Sequence, residues 1–483
     1  MPMQRDVSFR ATQVPDVYVS TPTTLSPVLG AALDRLVHVS PGALVEMTRA
    51  FGSPLNVVVP QVLATNSDAL RAVLQRHDVR GEIFYGAKVN KSPGLVRAAV
   101  DAGIGVDVSS LYEMRDALRA GIDPRRLCAT GPAKTRVFHM ALIANSALIS
   151  VDSIEELGDL ESVMREIEPE QPVRVLLRYR PEASATSRFG MSGNDILSCL
   201  DRFASAGNLY SFEGFHFHLG GYGYEARAKA LREVAPFVDA ARAMGLAPTM
   251  IDIGGGLPVQ YVESGGYEAY LDTQRSDGYR NGKVPGSFYP YGGPIGACEW
   301  LDRFLASPCG DDQSIAGYLR ANRLRLAIEP GRSLADQTAL SVFRIARVKS
   351  LPSGEVVIFV EGSSFSACET WFASEFLVNP IHLSPRNSPH GDGEEKHEPT
   401  RGWIAGHSCL DEDVLTNRLI EFARRPLAGD LLVYANTAGY QMDLLENEFH
   451  RHPMPRRISV AFDTAGGMTT SPDDRMENRN DLD

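Results

Sequence analysis

The chain has 483 residues, 43% of them hydrophobic and 22% charged, which suits a soluble globular protein with room for two domains. A net charge of -12 gives no electrostatic footprint for nucleic acid or an anionic membrane surface, and no apolar run is long enough to span a bilayer. The expected partner is a small molecule.

The first residues, MPMQRDVSFRATQVPDVYVS, lack the basic-then-apolar order of a secretory signal, so a cytoplasmic location is expected. Residues 1–49 are expected to pack with the second domain. From 50 to 335, short apolar runs alternate with amphipathic stretches. LNVVVP, GEIFYGAKV, IGVDVSS, RLCATG, ALISVDS, VRVLLRYR, FEGFHFHLG, TMIDIGGG and LRLAIEPGR are strand candidates. SDALRAVLQRH, PGLVRAAVDAG, LYEMRDALRAG and ARAKALREVAPFVDAARAMG are helix candidates. Strand and helix in alternation predict a parallel sheet, and that many repeats predict a closed (β/α)8 barrel, with an open doubly wound sheet as the alternative.

Residues 261–300, rich in Gly and Tyr, read as an insertion of loops that either covers the site or decorates the surface. After 335 the pattern changes to ALSVFRIARVKSL, EVVIFVEG and DLLVYANTAG, which predicts a β-rich domain over 336–470, of Greek-key or β-sandwich type. The segment 384–401 and the tail 471–483 are polar and are expected to be mobile.

Chemistry in such a barrel collects at the C-terminal ends of its strands, so it should show as unusual residues just after apolar runs. Lys88 follows one run, Asp107 the next, Arg178 lies in VLLRYR, His218 ends FHFHLGG, Gly254, Gly255 and Gly256 end MIDIGGG, and Glu329 and Arg332 end LRLAIEPGR. Each alone has a structural explanation: a snorkelling lysine, a satisfied core histidine, a glycine turn or an ion pair. Their common placement favours a site. The six cysteines, at 128, 199, 298, 309, 368 and 409, show neither C-x-x-C nor a spaced histidine, so neither a metal centre nor a disulfide framework is expected.

YGAKVNKS, GVDVSSLYEM, HFHLGG, IDIGGGLP, IEPGR, GHSCLDED and NTAGYQMD, in this order, resemble the fold-type III pyridoxal-phosphate decarboxylases, the family of diaminopimelate and ornithine decarboxylases. The resemblance implies an alanine-racemase-like barrel, pyridoxal 5'-phosphate as cofactor and a homodimer with shared sites. Lys88 would form an imine with the cofactor aldehyde, its amine favoured in the neutral form by burial beside other cations. The three glycines, with a helix N-terminus following them, would hold the phosphate together with Gly331 and Arg332. Tyr440 would lie close to that phosphate and His218 would stack on the ring, with Asp107 and Arg178 beneath or beside it as substrate-binding residues.

Glu329 would keep the pyridine nitrogen protonated, which favours decarboxylation over racemisation. Cys409, from the partner subunit, would protonate Cα, since a thiol with a pKa of about 8.5 is mostly protonated at neutral pH. The sequence departs from the family after Cys409, where Leu410 replaces an acidic residue, so that Asp411 or Asp413 would meet the distal group of the substrate. The family's serine after the HxG glycine is also replaced, giving Gly220-Gly221-Tyr222. With the insertion and the CETWFASEF segment around Glu369, these departures point to amino-acid conjugates in siderophore or other natural-product pathways. Diaminopimelate, ornithine or lysine decarboxylation, racemisation on the same fold, and a catalytically silent regulatory protein are the alternatives.

Overall fold

The computed structural model describes residues 7–8, 17–21, 24–310, 312–364, 376, 378–385, 399–443 and 449–473. Eight parallel strands close a barrel: Gly81–Gly86, Gly105–Val108, Leu127–Ala129, Leu148–Val151, Val173–Arg178, Tyr210–His216, Met250–Asp252 and Arg325–Ile328. Each comes from one of the apolar runs named above. Side chains at strand ends cap the helices that follow: Ser92 accepts from the Leu95 N–H, Ser110 from Glu113, Thr135 from Phe138 and Ser153 from Glu156.

The run LNVVVP does not join the barrel. Leu55–Val58 lies in a second, mixed sheet of 11 strands, antiparallel to Ala339–Ser350 and parallel to Arg456–Phe462. A four-residue strand buried along its whole length carries no periodicity to tell one sheet from another. Val17–Ser20 also joins this sheet, antiparallel to Ile381–Pro385. One face packs on Leu33, Leu36, Val37, Leu44 and Met47.

The other face, with Phe343, Ile358 and Tyr434, packs on Tyr261, Tyr267 and Tyr291 of the insertion. The insertion is not all loop, since Ser264–Asp272 is a helix and Ala297–Ala306 begins another. Tyr261 stacks on Tyr291, which stacks on Tyr289, with ring centroids 5.2 and 5.0 Å apart. An aromatic ladder thus carries the insertion from the second sheet to the mouth of the barrel.

Inside the barrel, side chains form tiers because every second residue of a strand points inward. Phe84, Cys128, Leu148, Leu176, Met250 and Ala327 make an apolar plug. Gly105 leaves room for it, since a Cβ there would sit 2.4 Å from the Phe84 ring. Two residues onward along these strands come Gly86, Thr130, Ser150, Arg178, Asp252 and Glu329, and two beyond Gly105 and Gly214 come Asp107 and His216. This second tier is polar and, like the plug, buried. Two residues further stand Lys88, His218 and Gly331, which face a cavity.

Candidate active site

Lys88 lies in the single turn Ala87–Val89 that ends the first barrel strand. Its side chain is 43% exposed, and this surface opens into a cavity of about 420 Å³ rather than onto the outer face of the barrel. The cavity is lined by His218, Glu329, Arg332 and Tyr440, by Gly255, Gly256 and Gly331, and by Tyr222 and Tyr289. Lys88 Nζ stands 3.5 Å from Asp107 Oδ2. Burial pulls its amine down, but the Asp107 and Glu329 carboxylates raise it and prevail. The expected lowering by neighbouring cations is therefore corrected: Arg178 acts in that direction, but acidic neighbours dominate the site.

The tier below Lys88 explains this. Asp107 Oδ1 accepts from Thr130 Oγ1 at 2.6 Å, and Arg178 donates to Asp152 at 3.0 Å and to the Thr130 carbonyl at 3.2 Å. Glu329 is pushed well up by burial and by the neighbouring Asp252 and Asp107 charges. Asp252 is raised too, by burial first. Among the described residues, Glu329 Oε1 is buried without a hydrogen bond and lies 3.5 Å from His216 Nε2, which is likewise without one. Burial and the Arg178 charge hold His216 neutral, and its Nδ1 meets Ser150 Oγ at 2.7 Å. Burial, then Lys88, keeps His218 neutral as well. Its Nδ1 accepts from the Gly255 N–H at 3.1 Å, so its proton sits on Nε2.

The glycine loop is tighter than the sequence implied. Gly254 has φ +69° and Gly256 φ +80°, and a Cβ on Gly255 would lie 2.6 Å from the Glu329 carbonyl oxygen. The Gly254 N–H is committed to Asp252 at 2.9 Å and that of Gly255 to His218, which leaves Gly256 as the one of the three without a bonded N–H among the described residues. No helix starts directly after the glycines, because the next begins at Ser264, so the expected helix dipole is absent there. Gly254 itself is not a lining residue of the cavity.

Arg227 holds this region together and was not foreseen. It is fully buried, and donates to the carbonyls of Leu219, Gly221 and Gly255 at 2.8, 3.0 and 2.9 Å, tying the loop after His218 to the glycines. Burial pulls its guanidinium down to about 10. Nothing in its setting, an arginine in the first turn of an alanine-rich helix, marks it in the sequence. His216 and Asp252 did carry a signal, since each stands two residues before a chosen residue on the same strand face. Arg332 donates to the Gly439 carbonyl at 2.8 Å and lies over the rings of Tyr289 and Tyr440, 4.4 and 5.0 Å from their centroids.

The Cys409 loop is a separate place. Cys409 is exposed and does not line the Lys88 cavity of its own chain. Asp413 is buried in that loop. Its carboxylate accepts from the Ser364 N–H at 2.7 Å, from the Ser363 and Ser364 hydroxyls at 3.0 and 2.9 Å, and from the Ser408 N–H at 3.0 Å. Asp411 is 89% exposed on its side chain and faces Arg280 at 3.5 Å. Glu369 and Cys368 lie outside the described residues.

These residues suit a phosphorylated pyridine aldehyde: a lysine at the mouth, a buried carboxyl with an unbonded oxygen, and a cradle in which a Cβ would collide. Residues 63–275 match the family model described as pyridoxal-dependent decarboxylase, pyridoxal binding domain. The chain is 53% identical to the uncharacterized protein y4yA of Sinorhizobium fredii, over 93% of this chain and 96% of that one. It is 23% identical to the L-glutamyl-[BtrI acyl-carrier protein] decarboxylase of Niallia circulans, over 85% of this chain and 90% of that one. Among solved structures, diaminopimelate decarboxylase from Helicobacter pylori complexed with L-lysine superimposes with a TM-score of 0.67 at 16% identity, covering 86% of this chain and 93% of that one.

Proposed function

The chain belongs to the fold-type III pyridoxal-phosphate-dependent decarboxylases, and from that premise we propose that it decarboxylates an amino acid carried as a conjugate, in siderophore or other natural-product biosynthesis. One observation carries this choice of substrate. Among the described residues that line the Lys88 cavity, Glu329 is the only acidic one, and it belongs to the buried tier. Leu410 occupies the position next to Cys409, Asp411 faces Arg280, and Asp413 is saturated by its own loop. A free distal ammonium would find no uncommitted carboxylate in that set, whereas a distal group masked as an amide or thioester needs none. The similarity to a decarboxylase of a carrier-bound glutamyl group supports the same reading.

Pyridoxal phosphate would supply the electron sink for the pair left on Cα when the carboxylate leaves as CO2. In the proposed arrangement Lys88 would hold the cofactor carbon, His218 would lie against its ring, and Glu329 would hold a proton at the ring nitrogen. Gly256, Gly331, Arg332 and Tyr440 would take the phosphate. Asp107 and Arg178 orient Lys88 from below. Cys409 of a second copy gives its thiol proton to Cα, which makes the working unit a homodimer.

The test combines absorbance with CO2 release. Purified protein with pyridoxal phosphate should show a visible band that Lys88→Ala lacks. CO2 should then come from an acidic or basic amino acid presented as a pantetheine or carrier-protein conjugate, and not from free diaminopimelate, ornithine or lysine. Release from free diaminopimelate at comparable kcat/KM would replace this reading with the primary-metabolic one. Racemised substrate without CO2 would replace the reaction itself.

A further inference from the structure

We propose that Tyr222 and Tyr289 act as a paired hydroxyl donor to the cofactor phosphate, so that the 261–300 insertion builds part of the phosphate site. This rests on the placement of the phosphate beside Gly256 and Arg332. The two hydroxyls are 2.6 Å apart and both residues line the cavity. Tyr222 donates this bond to Tyr289, which leaves the Tyr289 O–H proton uncommitted among the described residues. No further bond to either hydroxyl is formed among the described residues.

The pair stands where an anion is short of donors. Two of the three glycine N–H groups are spent within the loop, on Asp252 and His218, and one Arg332 nitrogen is spent on Gly439. A phosphate dianion has three terminal oxygens to satisfy, and a phenol is a good neutral donor to it. Burial raises the Tyr222 phenol even though Arg332 opposes, so that hydroxyl stays protonated.

The backbone that carries Tyr222 and the ring of Tyr289 are held in advance. The Trp300 indole donates to the Tyr222 carbonyl at 2.6 Å and Arg227 to the Gly221 carbonyl at 3.0 Å. Tyr289 stacks on Tyr291, and the Tyr267 hydroxyl donates to its carbonyl at 2.8 Å. Preorganised donors of this kind cost little ordering when the anion arrives.

Phenylalanine at either position removes the hydroxyl and keeps the ring, so the aromatic ladder survives. The measurement is the dissociation constant for pyridoxal phosphate and, separately, for pyridoxal, which lacks the phosphate, in wild type, Tyr222→Phe, Tyr289→Phe and the double variant. The proposal expects the double variant to lose about tenfold or more in affinity for pyridoxal phosphate and little for pyridoxal. Equal losses for both, or none, would mean that the pair merely clasps the insertion to the loop after His218. Wild type that binds neither compound would instead overturn the reading of the cavity on which the proposal stands.

Discussion

Lys88 and Cys409 differ in how the chain holds them. Lys88 closes a barrel strand and rests on a tier of buried carboxyls and an arginine, each fixed by the strand beneath it. Cys409 sits in an exposed turn between Thr400–Ala405 and Val414–Phe422, and the order of that turn comes from Asp413, whose carboxylate gathers the surrounding N–H groups and hydroxyls. Burial tends to raise that carboxyl, but the bonds from Ser408 and Ser364 hold it below the usual range. One residue is thus built into a cavity and the other is presented outward on an organised loop. In our reading the two meet only when a second copy brings its loop to this cavity.

The largest effect tests this division. Cys409→Ala should lower decarboxylation by on the order of 10²- to 10⁴-fold, as expected for loss of a positioned proton donor, and should leave the absorbance band with pyridoxal phosphate intact. Lys88→Ala should abolish both. Mixing the two dead variants under conditions of subunit exchange should restore up to about one quarter of wild-type activity, because a random dimer then often holds one intact site. If the mixture stays dead while size-exclusion shows exchange, the two residues serve the same chain and the shared-site reading fails.

A second comparison lies within the cavity, between the glycine loop and the tier below it. Gly256 has φ +80°, and a Cβ there would lie 2.1 Å from Arg227 Nη2. Gly256→Ala should therefore destabilise the chain by about 1–3 kcal/mol and loosen the Arg227 bonds that tie the loop after His218 to the glycines. A fall in thermal midpoint with a matching loss of pyridoxal phosphate affinity is expected. Gly265→Ala, in the insertion helix with open space around it, is the control and should do neither.

The barrel was legible because its strands repeat a simple rule, an apolar run that ends in a residue out of character. That rule found Lys88, Asp107, Arg178, His218, Glu329 and Arg332, all of which the structure places in or directly beneath one cavity. It failed at Leu55–Val58, where a short buried strand fits either sheet. It also misjudged the charge around Lys88, because the spacing of Asp107 and Glu329 along the chain does not show that both face the same amine. Arg227 and Tyr289 were invisible for a related reason: their partners are backbone carbonyls and aromatic rings brought together by tertiary packing.

The smallest expected effect sharpens the contrast between the buried tier and ordinary carboxyls. Burial first, then Asp252 and Asp107, raises Glu329 above its unfolded value. The folded protein therefore keeps a proton that the unfolded chain releases. The stability this group contributes is fully present below the unfolded carboxylate range and is lost as pH rises toward the folded value. Without pyridoxal phosphate, the thermal midpoint of wild type should fall as pH rises above the unfolded carboxylate range of about 4 to 4.5. Glu329→Gln should flatten that fall by on the order of a few degrees, leaving the part due to Asp252, which burial also raises. With the cofactor bound and a cationic ring nitrogen beside the carboxyl, the wild-type slope should shrink in the same way, because the charged form then has a partner. A slope that Glu329→Gln leaves unchanged would place the titrating group elsewhere and would remove the argument that Glu329 is tuned to hold a proton at that nitrogen.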